Sequence, residues 1–376
     1  MHKITFFPLG NADCYRIDLE CGKKILIDFA DCRDPEDDND LRCDLPEELR
    51  KDLEENGRDY YDVVAFSHLD KDHFVGATEF FYLDHANKYQ DSDRTKIKVM
   101  WVPAALITEK GPDDNEARIL QEEARYRFRE GKGIRVFSRP ERLREWCEEN
   151  DIIWNKSLHL ITDAGELAPE FTLSADKAEF FVHSPFAVRQ DESTVEDRNE
   201  DSLVMQVTFE LEGTKTKALL LADSIYDVLS DIVNVTRDKG NNDRLEWDIA
   251  KLPHHCSYRS IGPEKGTSKT KAVEEIDWLY KEQGQIGAIA ISMSKPIPVD
   301  GTDEDKDDHP PHRQAAKYYK DIVAELDGQF AITMEHPTPK EPKPLVIEIG
   351  HRKATLKKST LSAASVITSQ PAPRAG

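Results

Sequence analysis

The stretch His68-Leu69-Asp70-Lys71-Asp72-His73 sets two imidazoles and two carboxylates within six residues. Neutral imidazole and carboxylate are the ligands that borderline divalent cations prefer. A merely solvated loop has no reason to place a histidine at each end of an aspartate pair. Three more clusters follow apolar runs. Asp223 comes after Ala218-Leu219-Leu220-Leu221-Ala222, and His254-His255-Cys256-Ser257 after Ile249-Ala250-Lys251-Leu252-Pro253. His309-Pro310-Pro311-His312 follows a run ending at Met293 and an acidic loop. Each cluster also has a plainer reading. A lone aspartate after a strand serves as a turn former, a histidine pair can sit on a surface, and His309 and His312 stand among Asp303, Glu304, Asp305, Asp307 and Asp308. Open α/β sheets gather strand C-termini on one edge, where sites form, so the set is expected to converge.

The elements that must carry these residues can be read from the pattern. Ile4 to Phe7, Cys14 to Leu19 and Lys24 to Asp28 read as strands joined by the Gly10-Asn11-Ala12-Asp13 and Cys21-Gly22 turns. Residues 31–44 form an acidic loop. Pro46-Glu47-Glu48 opens a helix, with proline in its first turn and acids at the positive dipole end. Val63-Val64-Ala65-Phe66 is a buried strand feeding the His68 motif, and Gly76 to Leu83 continues as a helix. Further strands are expected at Lys96 to Val102, Phe180 to Val182, Leu203 to Leu211, Ala218 to Ala222, Trp247 to Leu252, Ile286 to Met293, Phe330 to Met334 and Leu345 to Ile349. Strands and helices alternate, which is α/β in character. Residues 112–150 are charge-dense and helical in pattern. They read as a surface insertion covering the core through Ile119, Leu120, Tyr126 and Phe128. The expected boundaries are one domain over 1–350 and a disordered tail over 351–376, rich in Ser, Thr, Ala and Pro towards its end.

The bulk numbers bound the function. The chain has 376 residues, 73 acids against 51 bases and a formal charge of −22. That balance opposes unspecific attraction to nucleic acid or an anionic membrane. A metal site supplies its own local positive field, so a nuclease stays open. No window reaches the length of a membrane span, and the apolar run at Met1 to Phe7, with Pro8 behind it, is too short for an export signal. The cysteines, Cys14, Cys21, Cys32, Cys43, Cys147 and Cys256, form no CxxC pair. Reduced thiols in a cytoplasm are the expectation.

The order of motifs resembles the metallo-β-lactamase fold, and within it the hydrolase domain of the ComEC competence proteins. The metal signature appears as Ser67-His68-Leu69-Asp70-Lys71-Asp72-His73-Phe74-Val75-Gly76-Ala77, with Asp70 where histidine is commonest. A turn at Gly10-Asn11-Ala12-Asp13 and the strand end Leu26-Ile27-Asp28 precede it. Asn199-Glu200-Asp201-Ser202-Leu203-Val204, Leu220-Leu221-Ala222-Asp223, Lys251-Leu252-Pro253-His254-His255-Cys256-Ser257 and Asp308-His309-Pro310 follow it. The resemblance spans residues 1 to about 350. Cys256, Ala77 and Ala222 stand where that pattern has glycine, which narrows backbone freedom and predicts altered loop shapes. Cys256 itself reads as a small buried filler. No stretch of this sequence resembles the membrane channel that accompanies the competence domain, so DNA uptake is not expected.

The resemblance implies a four-layer αβ/βα sandwich of the metallo-β-lactamase type and two divalent cations, Zn or Mn. His68 and Asp70 would hold one and Asp72 and His73 the other, with Asp223 bridging and His255 and His309 completing the shells. Asp72, His254 and Lys251 are the candidate catalytic groups, with Lys251 as a holder of a phosphate oxygen. Asn199, His183, Ser257 and His312 are candidates for substrate or further metal contacts. The implied activity is phosphodiester hydrolysis, with nucleic acid or a nucleotide as substrate. The alternatives are hydrolysis of an amide, lactone or thioester, because the fold hosts many chemistries, or a non-catalytic metal-stabilised module. A protein partner would meet the acidic surface or the C-terminal tail.

Overall fold

The computed structural model describes residues 1–187, 189 and 198–357. The strands are β1 (His2–Phe6), β2 (Tyr15–Asp18), β3 (Lys24–Ile27), β4 (Tyr60–Ala65), β5 (Lys96–Pro103), β6 (Ile134–Phe137), β7 (Ile161–Thr162), β8 (Ala178–Ser184), β9 (Val204–Leu211), β10 (Thr214–Leu220), β11 (Trp247–Lys251), β12 (Gly284–Ser292), β13 (Gln329–Ile332), β14 (Pro337–Thr338), β15 (Glu341–Pro342), β16 (Leu345–Ile349) and β17 (Ala354–Leu356). They build a nine-stranded sheet in the order β17-β16-β1-β2-β3-β4-β5-β6-β7 and a six-stranded sheet in the order β13-β12-β11-β10-β9-β8. β14 and β15 form a separate ribbon.

Alternation along the strands explains the layers. On β3, Ile25 and Ile27 face the second sheet, whereas Leu26 faces helices. Past β4 the same split puts Val63 and Ala65 between the sheets and Val64 and Phe66 under helices. A strand buried on both faces reads as an unbroken apolar run, which is why Val63 to Phe66 shows no polar position. Trp101 of β5 joins the sheets through edge-on contacts with Phe137, Phe171 and Phe180, at centroid separations of 5.4, 5.8 and 5.3 Å. Helices Leu45–Glu55, Asn115–Glu130 and Glu141–Glu149 cover the outer face of the first sheet. Tyr226–Asp238 and Arg313–Glu325 cover that of the second. The four-layer αβ/βα sandwich expected from the motif order is present.

Helix Leu45–Glu55 begins as its sequence predicts. Asp44 caps it by accepting from the Glu47 amide at 3.0 Å, and Leu45, Leu49 and Leu53 form its buried stripe. The helix expected over Gly76 to Leu83 is a single turn, Ala77–Phe80.

The charged region 112–150 corrects the expectation of a covering insertion. β6 lies inside it and pairs in parallel with β5 and β7, so the region is an integral part of the sheet. Leu120 and Phe128 are buried as expected, while Ile119 and Tyr126 are only partly so. Its buried polar residues tie loops together. Glu116 accepts from the Gly76 and Thr78 amides at 3.0 and 2.9 Å, in the turn that follows the His68 motif. Glu123, fully buried, accepts from the Asp84 and His85 amides and pairs with Arg127. At the other end, Ala354–Leu356 pairs with β16, so part of the expected tail belongs to the sheet. Residues 358–376 lie outside the described residues. Among the described residues no helix is long and apolar enough to cross a membrane.

β3, β4, β5, β6 and β7 are mutually parallel, as are β10, β11, β12 and β13. Each parallel set delivers its C-terminal loops to one edge. Asp28 leaves β3, His68 to His73 follow β4, Asp223 follows β10, and His254 and His255 follow β11.

Candidate metal centre

The centre is built from three histidines whose outward nitrogens are all anchored. Ser67 leaves β4, and its amide and hydroxyl both donate to the Asp28 carboxylate at 2.7 Å. Its oxygen is then left to accept from His68 Nδ1 at 3.0 Å. A short helical turn, Lys71–His73, brings His73 back beneath it, and His73 Nδ1 donates to Asp28 Oδ2 at 2.9 Å. The two rings lie 4.0 Å apart between centroids. His255 Nδ1 donates to the Met293 carbonyl at 2.7 Å. Carboxylates and carbonyls that hold one imidazole nitrogen fix the ring and turn the other towards a cation.

The inward atoms meet. One ligand atom each from Asp72, His73, Asp223 and His255 lies within 4.8 Å of every other. Asp223 Oδ2 is 3.5 Å from both His73 Nε2 and His255 Nε2, and Asp72 Oδ2 is 3.0 Å from His255 Nε2. His68 Nε2 is 3.5 Å from Asp70 Oδ2. His68 Nε2, His73 Nε2, Asp223 Oδ1 and His254 Nδ1 are buried and have no hydrogen-bond partner. Buried polar atoms without partners are costly; His73 Nε2 lies in the cluster itself, and His68 carries the neighbouring ring. The donor set of imidazole nitrogen and carboxylate oxygen fits divalent cations such as zinc or manganese.

The electrostatics agree. Burial lowers the pKa of His73, but the charges of Asp223, Asp28 and Asp72 outweigh it and leave the group well above its ordinary value. His255 is likewise raised to about 9 against its burial, chiefly by Asp223 and Asp72. Burial raises Asp223, yet His255, His73 and Lys251 hold it well below the usual carboxylate range. The carboxylates thus create a demand for positive charge at the cluster.

The backbone here is strained. Asp28, Ala222, His254, His255 and Cys256 take φ values of 57°, 43°, 47°, 50° and 66°. Non-glycine residues in that region cost about 1–2 kcal/mol each, and such strain concentrates at functional sites. Ala222 and Cys256 thus keep the left-handed backbone that glycine would favour, which corrects the expectation of altered loops at these two positions. The Cys256 side chain belongs to the core beneath the second sheet, and burial pushes its thiol up to about 12, as befits a filler.

No protein-family model and no curated protein matches the chain. Similar solved structures include a new diphosphatase from the PhnP family (11% identity, TM-score 0.34, 93% of this chain and 98% of that one). A second is Tm1679, a metal-dependent hydrolase of the β-lactamase superfamily (12%, 0.38, 88% and 96%). A third is unliganded yeast PDE1 (10%, 0.41, 88% and 97%). The functional reading therefore rests on the site itself.

Lys251 needs correction. Its side chain is fully buried, so it cannot hold a phosphate of a substrate. The ammonium pairs with Asp13, which is equally buried, donates to the Ala222 carbonyl at 2.8 Å and lies 3.6 Å from Asp223 Oδ1. It is a counter-ion under the cluster. Asp13 was not singled out as a site residue. Its signal was a carboxylate in a turn between two apolar strands, opposite a lysine in a third.

Asp70 is half shared. Arg198 donates to its Oδ1 at 3.1 Å and pairs at the same time with Glu109. Arg198 was also missed, because only the fold brings it to the motif.

The remaining candidates are placed as follows. His309 is a second correction: its side chain is 87% exposed and paired with Asp307 at 2.9 Å, so it does not complete the shell. His312 is buried elsewhere, bonded to the Tyr258 amide and the Asp308 carbonyl. His183 sits on the edge strand β8, bonded to the Arg244 carbonyl at 2.9 Å. Ser257 turns its hydroxyl to the Arg259 amide. Asn199 accepts through its carbonyl from Ser202 Oγ at 2.9 Å, just ahead of β9. His254 is partly exposed beside His255, at 6.3 Å between centroids.

Proposed function

We propose that this protein hydrolyses phosphodiester bonds of nucleotides or nucleic acid, with two divalent cations, zinc or manganese. The observation that carries the reading is the convergence of Asp72 with the buried His73, Asp223 and His255, next to the His68 ring, whose Nε2 is buried without a partner. His68 and Asp70 would hold one cation, Asp72, His73 and His255 the other, and Asp223 would serve both. Bound cations would supply positive charge to the phosphoryl oxygens and acidify water.

The chain's own groups divide the remaining work. Water adds to phosphorus, the bond to the leaving oxygen breaks, and the water's proton ends on that oxygen. Asp72, whose side chain is 36% exposed, reaches solvent and would take the proton. His254, partly exposed beside His255, would deliver one to the leaving group. Asp28 and Ser67 hold His73 and His68 in register. Carboxylate in place of histidine at Asp70 makes the first site richer in oxygen, which favours manganese as well as zinc. The charge of −22 favours short or single-stranded substrates over long duplex DNA.

Bis-p-nitrophenyl phosphate, plasmid and a single-stranded oligonucleotide, each with Mn²⁺ or Zn²⁺ and an EDTA control, test the reading. Metal-dependent cleavage of a phosphodiester is expected. His254→Ala should slow esters with poor leaving groups far more than those with p-nitrophenol. Cleavage of nitrocefin or a lactone instead, or inertness of protein shown to contain metal, would overturn the assignment.

A further inference from the structure

A cavity of about 620 Å³, lined by none of the proposed metal ligands or proton-transfer groups, opens among residues of the Asn11 turn, the loop after Met293 and the Pro310 loop. Its walls include Ile297, Pro298, Val299 and Pro310, with Asn11 and His309 at the edge. It is tied to the ligand-bearing turns. Asn11, two residues from Asp13, donates to the Pro310 carbonyl and accepts from the Lys295 amide at 3.0 Å. Met293, two residues before Lys295, accepts from His255. The Cys256 carbonyl accepts from the His312 amide at 3.1 Å, just past Pro310 and Pro311. The cavity is therefore held in a set position relative to the metal ligands.

Its surface chemistry is unusual for a loop. Val299 is 71% exposed, and the His309 side chain is 87% exposed with its ring fixed by Asp307 through Nδ1. Proline, isoleucine and valine faces with a preset imidazole make a platform for a flat apolar group. The carboxylates of Glu304 and Asp307 also line the cavity and suit donors such as an exocyclic amine or a sugar hydroxyl.

We propose that this cavity binds the nucleoside portion of the substrate, its base against Val299 and His309 and its phosphate turned to the cluster. The role rests on the phosphodiesterase reading and narrows it to substrates bearing a nucleoside next to the scissile phosphate. His309, excluded as a metal ligand, becomes a specificity residue.

Binding, not turnover, tests it. Adenosine 5′-monophosphate, ribose 5-phosphate and inorganic phosphate are titrated calorimetrically into Mn²⁺-loaded protein and into the exposed-site variants Val299→Asp and His309→Ala. The stacking of the base should make the nucleotide bind about fivefold or more tighter than ribose 5-phosphate. Both variants should lose most of that advantage while binding inorganic phosphate as the parent does. Equal affinity for nucleotide and ribose 5-phosphate, or an advantage that survives both substitutions, would overturn the proposal. Absence of diesterase activity with the nucleotide preference intact would sink only the catalytic reading. Diesterase activity without the preference would sink only this one.

Discussion

Lys251 shows what one side chain can do without touching substrate. A fully buried ammonium between Asp13 and Asp223 removes one negative charge from a region crowded with carboxylates. Breaking such a pair from one side is costly because it strands the other charge, by about 3–5 kcal/mol. Lys251→Met should therefore destabilise the protein by about that amount in chemical denaturation. Combining it with Asp13→Asn should return a large part of the loss, since neither charge is then left alone. A double variant no more stable than Lys251→Met would show that the lysine acts through something other than its charge. The sequence held a hint of this in Ile249-Ala250-Lys251-Leu252, a charge inside an apolar strand. It could not name the partner, because Asp13 lies on another strand's approach.

At the level of elements, helix Asn115–Glu130 is the least expected contributor. Its charge density and helical pattern, with Ile119, Leu120, Tyr126 and Phe128 facing inward, read as a cover over the core. The structure uses those charges inward. Glu116 in its first turn receives the Gly76 and Thr78 amides and the Thr78 hydroxyl, which fixes the exit of the His68–His73 loop. Glu116→Ala leaves those donors without an acceptor, at about 1–3 kcal/mol. Both stability and manganese affinity should fall, read by denaturation and by metal titration. Glu116→Gln, which keeps one oxygen, should restore part of each. An Ala variant with unchanged metal affinity would show that the helix only packs. The short strands β6 and β7 were also missed in the sequence. Four and two residues are too few for a period to show.

Across the whole molecule, the buried histidines outside the centre set an acid limit. His2, His183 and His312 are all lowered to about 4, each chiefly by burial. Unfolded histidine titrates near 6.5, so between about pH 6.5 and pH 4 the unfolded chain binds more protons than the folded one. Stability present above pH 6.5 is then lost as pH falls towards 4. For His183 the full difference is about 3 kcal/mol by that linkage. His183→Gln should narrow the gap between stability at pH 7 and at pH 4.5, measured by urea denaturation at each pH. Parallel pH profiles for parent and variant would refute the assignment. His2 and His312 need the same treatment before the slope is fully apportioned.

The amino-acid sequence by itself determined which imidazoles and carboxylates stand at the ends of the apolar strands. His68, Asp70, Asp72, His73, Asp223 and His255 could be placed at strand ends because apolar runs mark buried strands and their polar ends mark one edge. The alternation of strands and helices likewise determined the layered class. Only the tertiary structure decided which residues of those ends meet. His255 turns inward while His309 stays in solvent, and Lys251 goes beneath the site rather than over it. The reason is physical: local pattern fixes where a chain segment runs, but facing and distance between segments far apart in sequence are set when the two sheets pack.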